Sequence, residues 1–317
     1  MFDDFIGNKK AVNLISIGIK AAQRKSDKFP DYIFSGAAGN GKSKMANDIV
    51  KGTDSTGVFL NAATISNTNT VVDAIDNGIK EYNRLKKRRI IMVVDEAHSL
   101  KGNKICDFFL TAISENKIEI KNGSCVENFP IMRVKTQRND FLSWIFITNR
   151  AGELADALIS RLTEVRFIDY SFEEKEKIAK TLLDKALDVE FEESVCAEIA
   201  KRSWSAREVV KYTNGIYDYC ISTYTEEVVT LKSANEYFKL IGVDERGLGE
   251  AEMNYIDILA SSKGSISLQN IAAKMGIGVK DVSEMIEKKL VRLGIVNIES
   301  NGRSLSDRSD MKNRFSV

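Results

Sequence analysis

Residues 32–43 read YIFSGAAGNGKS, and the last eight, Gly36, Ala37, Ala38, Gly39, Asn40, Gly41, Lys42 and Ser43, match the pattern GxxxxGK[ST]. A short apolar run, YIF at 32–34, leads into the pattern and an amphipathic stretch follows it. That is the strand, loop and helix order the pattern needs. A plain glycine turn would share the composition but not the flanks. The glycines let backbone N–H groups wrap a polyphosphate, and the helix start adds the positive end of its dipole. Lys42 then reaches the β- and γ-phosphates, and Ser43 can ligate Mg2+. The expected ligands are therefore ATP and Mg2+.

Moving outward, IIMVVDEAH at 90–98 is an apolar strand that ends in two carboxylates. Adjacent acids at a strand end are ordinarily the start of a solvated loop; beside a phosphate-binding loop they supply the second half of a nucleotide site. Asp95 is expected in the Mg2+ shell, and Glu96 is expected to orient or deprotonate the attacking water. Further buried-strand candidates are 57–60 and 144–148, separated by helical patterns at 71–86 and 104–114 and preceded by another at 9–24. Strands alternating with helices predict an α/β P-loop fold, a parallel sheet covered on both faces.

Between the third and fourth strands, 117–135 carries IEI and PIMRVK around NGSCVENF, which predicts a hairpin inserted on the sheet. From Phe172 the pattern is wholly helical, at 172–188, 192–202, 205–223 and 230–239, and GVDERGLGE at 242–250 marks a change of domain. Boundaries are expected near 170 and 243. The remainder reads as helix (250–261), helix (268–275), glycine turn (276–278), helix (279–293) and then IVNIESNGRSL, the order of a winged helix-turn-helix.

The 317 residues include 46 basic and 45 acidic side chains, so the whole-molecule field cannot draw the chain to nucleic acid or an anionic membrane. Any DNA contact must come from a local patch. Such a patch is offered at 280–317 by Lys280, Lys288, Lys289, Arg292, Arg303, Arg308, Lys312 and Arg314. A solvated helix face would read the same way where these charges have acidic neighbours. Cys106, Cys125, Cys196 and Cys220 form no CxxC pair, and one histidine is too few for most zinc patterns. The acidic start MFDDFIGNKK and the lack of an apolar run near ~18 residues predict a cytoplasmic protein without a membrane segment. The one histidine, His98, is of a kind more often a surface or supporting residue than a catalyst.

FDDFIGNKKAVNLISIGIKAA, GAAGNGKS, VVDEAHSL, TNRAGELADALISRL, IAKRSWSAREV and the C-terminal winged helix, in this order and spacing, resemble the RuvB family of Holliday-junction branch-migration ATPases. The resemblance spans essentially the whole chain. It implies an AAA+ large ATPase domain over 1–170, a helical lid over 171–243 and a winged-helix DNA-binding domain over 244–317. It implies Thr148 or Asn149 at the sensor-1 position, Arg161 as an arginine finger supplied in trans and Arg207 as the sensor-2 arginine. Phe2 to Ile6 would pack near the adenine, and Gly302 and Arg303 match the wing that touches DNA, with Lys289 and Arg292 nearby. The implied activity is an ATP-driven DNA translocase acting on double-stranded DNA and four-way junctions as a homo-oligomeric ring, a hexamer. The 117–135 hairpin sits where the family docks its junction-binding partner protein. Without the resemblance, Arg150, Arg161 and Arg166 are loop or strand-end arginines like any others.

The chain departs from the family pattern in two places. Ala37 and Ala38 stand where the family usually has prolines, and ALISRLT at 157–163 replaces its PLRDRFG segment. ISRLTEVRF is closer to the finger segment of clamp-loader subunits, so the alternative is a clamp-loader-like AAA+ switch that assembles a partner on DNA. Against it, clamp loaders end in a helical collar. A two-lobed DEAH helicase would need a second RecA-like lobe with a QxxGRxGR-type segment, and the sequence has none.

Overall fold

The computed structural model describes residues 2, 4–87, 89–100, 103–115, 117–122, 125–130, 141–185, 190–223, 228–262 and 264–306. They form two compact units, Met1–Ile178 with Ser205–Glu208, and Ala179–Trp204 with Val209–Val317.

The first unit runs α1 (Lys9–Lys25), β1 (Tyr32–Ser35), α2 (Lys42–Gly52), β2 (Ser55–Asn61), α3 (Thr68–Leu85), β3 (Arg89–Asp95), α4 (Asn103–Glu115), β4 (Lys117–Asn122), β5 (Cys125–Pro130), β6 (Phe141–Thr148), α5 (Asp156–Ile159) and β7 (Thr163–Arg166), and α6 (Phe172–Lys185) begins in it. Five strands make one parallel sheet in the order β2-β3-β6-β1-β7. Side chains alternate across it as the pleat demands. Ile90, Met92 and Val94 face one layer with Val71, Ile75, Phe108, Phe109 and Trp144. Ile91 and Val93 face the other with Ile15, Ile19, Met45 and Ile49. Ile15 and Ile19 are four apart on α1 and fully buried, each contributing about 2 kcal/mol by area removed from water. An aspartate at either position would detach α1 from the sheet.

The sheet has one strand more than the sequence pattern indicated. β7 shows the burial of an edge strand, with only Val165 inside, so its sequence lacks an apolar run. The hairpin exists, but its second arm is Cys125–Pro130, paired Asn122 to Cys125 and Lys117 to Pro130. The stretch read as the loop is thus largely strand, and the arm expected at PIMRVK lies, apart from Pro130, outside the described residues.

The second unit carries the rest of α6, β8 (Glu190–Phe191), α7 (Glu193–Arg202), most of α8 (Ala206–Thr223), β9 (Val228–Val229), α9 (Leu231–Leu240), α10 (Glu250–Ala260) and α11 (Leu268–Met275). Its last helix is α12 (Val279–Asp281), a π-helical stretch Val282–Glu287 and α13 (Lys288–Arg292), followed by β10 (Val296–Glu299) and β11 (Gly302–Leu305). The region is not wholly helical: β8 and β9 pair in parallel over two residues, too short a run to show as periodicity. β10 and β11 pair antiparallel as the wing, and Ile266 bridges Arg303 as a third rung. Leu248, Tyr255, Ile256, Ile271, Val282, Ile286 and Leu290 form the core beneath them.

The link between α9 and α10 is pinned. Arg202, stacked 4.4 Å over Phe238, donates to Glu198 at 2.7 Å, to Asn235 at 2.7 Å and to the Val243 carbonyl at 3.2 Å. Gly247 has φ +77 and lies so close to the Arg202 carbonyl that a Cβ would overlap it. No helix of the described residues is long and apolar enough to cross a membrane.

Candidate nucleotide site

Parallel strands place their C-terminal ends on one edge, and register decides which residues meet there. Ser35 at the end of β1 is level with Thr148 on β6 and Arg166 on β7, and Asp95 closes β3. The loop Gly36–Gly41 leaves β1 at this edge and turns into α2. Gly36, Gly39 and Gly41 all have positive φ, at 138, 82 and 85. Gly41 is fixed twice over, because a Cβ would also collide with the Tyr170 hydroxyl and come within 3.0 Å of the Phe5 ring.

Lys42 is 7% exposed and donates from Nζ to the Gly36 and Ala37 carbonyls, each at 2.7 Å. Burial pushes its ammonium below the ordinary lysine range, Asp95 and Glu96 oppose the shift, and Arg207 adds to it. Arg207 therefore belongs to the same electrostatic environment, and its Cβ would lie 3.3 Å from one built on Gly39. The Ser43 hydroxyl donates to Asp95 Oδ2 at 3.2 Å. A hydroxyl and a carboxylate converging beside a buried ammonium form an all-oxygen donor set suited to a hard divalent cation, so these residues fit Mg2+ with a polyphosphate.

Glu96 has left-handed dihedrals, φ 52 and ψ 39, a conformation costing a non-glycine residue on the order of 1 kcal/mol. Its N–H donates to Asp95 Oδ1 at 2.8 Å, which fixes the backbone while the carboxylate stays exposed. Thr148 is buried and Asn149, the next residue, is exposed at the sheet edge. The Thr148 hydroxyl accepts from the Arg150 N–H at 3.0 Å.

Phe2 and Phe5 are buried and Ile6 is half-buried, with Lys44 5.4 Å over the Phe5 ring. Sequence reading missed what holds this segment. Asn8 Oδ1 accepts from the Ile168 N–H at 2.8 Å, and its Nδ2 donates back to the Ile168 carbonyl at 3.2 Å. Asn40 donates to Asp169 at 2.9 Å, and the Tyr170 hydroxyl, pushed up to about 12 by burial, donates to the Asn40 carbonyl at 3.3 Å. The asparagine inside the loop motif and the one closing FDDFIGN were the only available signals.

Arg161 is engaged elsewhere in the unit: Nε donates to Ser114 Oγ and Nη1 to the Ala157 carbonyl, both at 2.6 Å. In the second unit, two residues expected on DNA are turned inward. Arg303 donates from Nε to Glu287 Oε1 at 2.7 Å, and Lys289 donates to the Gly247 carbonyl at 2.8 Å and pairs with Glu252 at 3.2 Å. The buried Glu287 draws in Arg303, and the Gly247 carbonyl with the partly buried Glu252 draws in Lys289, which charge counting along the chain cannot reveal. Arg292 is exposed on α13, whereas Arg308, Lys312 and Arg314 lie outside the described residues.

Comparison with known proteins agrees with this architecture at both ends of the chain. Residues 1–168 match the Holliday junction DNA helicase RuvB P-loop domain, and residues 245–310 match the RuvB C-terminal winged helix domain. The chain is 28% identical over 313 residues to the Holliday junction branch migration complex subunit RuvB of Campylobacter jejuni, covering 97% of this chain and 88% of that one. It is 25% identical over 317 residues to the same-named subunit of a Wolbachia strain, covering 97% and 91%. In fold it is similar to the Thermotoga maritima RuvB Holliday junction branch migration motor, with a TM-score of 0.79 at 19% identity, covering 100% of this chain and 97% of that one.

Proposed function

The chain belongs to the RuvB family, and from that premise we propose that it is an ATP-hydrolysing motor subunit that drives branch migration of Holliday junctions as a ring on double-stranded DNA. The observation that carries the reading is the convergence of Lys42, Ser43, Asp95, Glu96 and Thr148 at one sheet edge.

Each group has a role that its chemistry suits. Lys42 and the loop amides bind the phosphates, and Ser43 and Asp95 hold Mg2+, which when bound neutralises charge on the phosphate oxygens. Glu96 accepts the proton of the attacking water. Thr148 or Asn149 orients that water or the γ-phosphate. Arg207 reaches the nucleotide from the start of α8, and Arg161 completes a neighbour's site, since an added cation there stabilises charge developing in the transition state. Phe2, Phe5 and Ile6 cover the base. The divisions 1–170, 171–243 and 244–317 are read as ATPase domain, lid and DNA-binding domain, and the hairpin of β4 and β5 as a dock for a junction-binding protein. DNA contact is assigned to the outer face of α12–α13 and the wing, with Arg292 foremost, in a cytoplasmic setting.

Negative-stain imaging with ATP and DNA, combined with ATPase rates on duplex, single strand and four-way junction, tests the reading. Rings and stimulation by duplex or junction are expected. Monomers whose ATPase ignores DNA would sink it.

A further inference from the structure

Resting on the ATPase reading, we infer that His98 is a positioning residue that ties the Glu96 carboxylate to the Thr148 hydroxyl, so that what happens at the end of β6 sets where the base points. The short turn Ala97–Ser99 holds the imidazole, 12% exposed, between the two: Nε2 is 3.4 Å from Glu96 Oε2 and Nδ1 is 3.2 Å from Thr148 Oγ1.

Hydrogen-bond logic gives this chain a direction. The Thr148 oxygen already accepts the Arg150 N–H, so its own proton is available to donate to Nδ1. A neutral imidazole accepting at Nδ1 carries its proton on Nε2, facing the carboxylate. The opposite neutral tautomer would set the Nε2 lone pair against Glu96, which is repulsive. An imidazolium would also present Nε2–H to Glu96, so either charge state that fits makes the same link.

Glu96 needs such a link. Its backbone is fixed in the left-handed region by Asp95, but its side chain is 49% exposed and has several rotamers open to it. A ring anchored to a buried threonine selects one of them. Because Thr148 stands where the γ-phosphate or attacking water is read, a change in its hydroxyl partner is passed through a rigid ring to the base. A misdirected base forfeits part of the roughly 10²- to 10⁴-fold that positioned proton transfer contributes.

The chain has a single histidine, so 15N-histidine labelling of the untagged protein gives one imidazole spectrum. Protonation at Nε2 is expected, with Thr148→Val moving mainly the Nδ1 resonance and Glu96→Gln mainly Nε2. A spectrum indifferent to both substitutions would overturn the inference. In turnover, His98→Asn keeps a group at the Nδ1 position and loses the Glu96 contact, whereas His98→Gln keeps a donor at the Nε2 position. His98→Asn should lower kcat by roughly 10-fold or more with KM for ATP within about twofold, and His98→Gln, which restores the Glu96 contact without the Thr148 anchor, should recover part of it. Equal losses in both variants with a lowered Tm would mean simple packing, and rates near wild type in both would also overturn the inference. Absence of ATP turnover in the unmodified protein would sink the ATPase reading instead, and the imidazole spectra would still decide the contact.

Discussion

Arg303 on the wing donates from Nε and Nη2 to the two carboxylate oxygens of Glu287, at 2.7 and 3.3 Å, and Glu287 is 4% exposed. The Tyr255 hydroxyl donates to the same Oε1 at 2.7 Å. The pair fastens the wing to the last helix of the winged-helix region, with the two donor–acceptor contacts of a forked arginine–carboxylate pair.

Arg303→Ala should therefore act first on stability. Stranding a buried carboxylate costs about 3–5 kcal/mol, and Arg303→Ala with Glu287→Gln should recover part of that, because the amide keeps an acceptor for Tyr255 without the charge. Thermal melts of both variants check this. For DNA binding, Arg303→Ala should leave the salt slope nearly unchanged, whereas Arg292→Ala should reduce it by about 1. A smaller slope for Arg303→Ala at unchanged Tm would return that residue to the DNA.

Lys42→Ala removes the buried ammonium of the phosphate loop, held between Gly36 and Ala37. ATP binding measured by calorimetry should be lost. Affinity near that of the unmodified protein would refute the loop's role.

Glu96→Gln keeps the shape of the side chain but cannot take a proton. ATP should bind while hydrolysis falls by about 10²-fold or more. Turnover within threefold of the unmodified protein would remove Glu96 from the role of base.

Arg161 is exposed and held by Ser114 and Ala157, so its substitution should spare the fold. Arg161→Ala should bind ATP and lose hydrolysis by a factor of about 10³. Mixed with Lys42→Ala, also inactive, it should regain activity, because each Arg161-deficient subunit has an intact loop that a neighbour's Arg161 can complete. No rescue in subunits shown to co-assemble would count against an interfacial site.

Gly247→Ala combines a positive φ with a collision against the Arg202 carbonyl. A loss of about 2–4 kcal/mol is expected. A melt unchanged from that of the unmodified protein would mean the link between α9 and α10 yields easily.

Elements whose chemistry is local can be read straight from the order of residues. GAAGNGKS declares its loop because glycine spacing, lysine and hydroxyl sit within eight residues, and IIMVVDE declares a buried strand ending in acids. α1 and the three-helix pattern ending in a wing follow from periodicity and turn residues alone. Features that depend on partners distant in sequence emerge only in the folded chain. β7 is a strand because β1 offers it an edge, and β8 because β9, nearly forty residues on, pairs with it. Arg303 and Lys289 look like phosphate contacts in a charge count, but Glu287, Glu252 and the Gly247 carbonyl claim them. His98 reads as an ordinary lone histidine until strand register sets Thr148 against one ring nitrogen and a left-handed turn sets Glu96 against the other. Local patterns are encoded in neighbours along the chain, whereas a side chain's hydrogen-bond partner is fixed only when folding removes water and leaves one acceptor within reach.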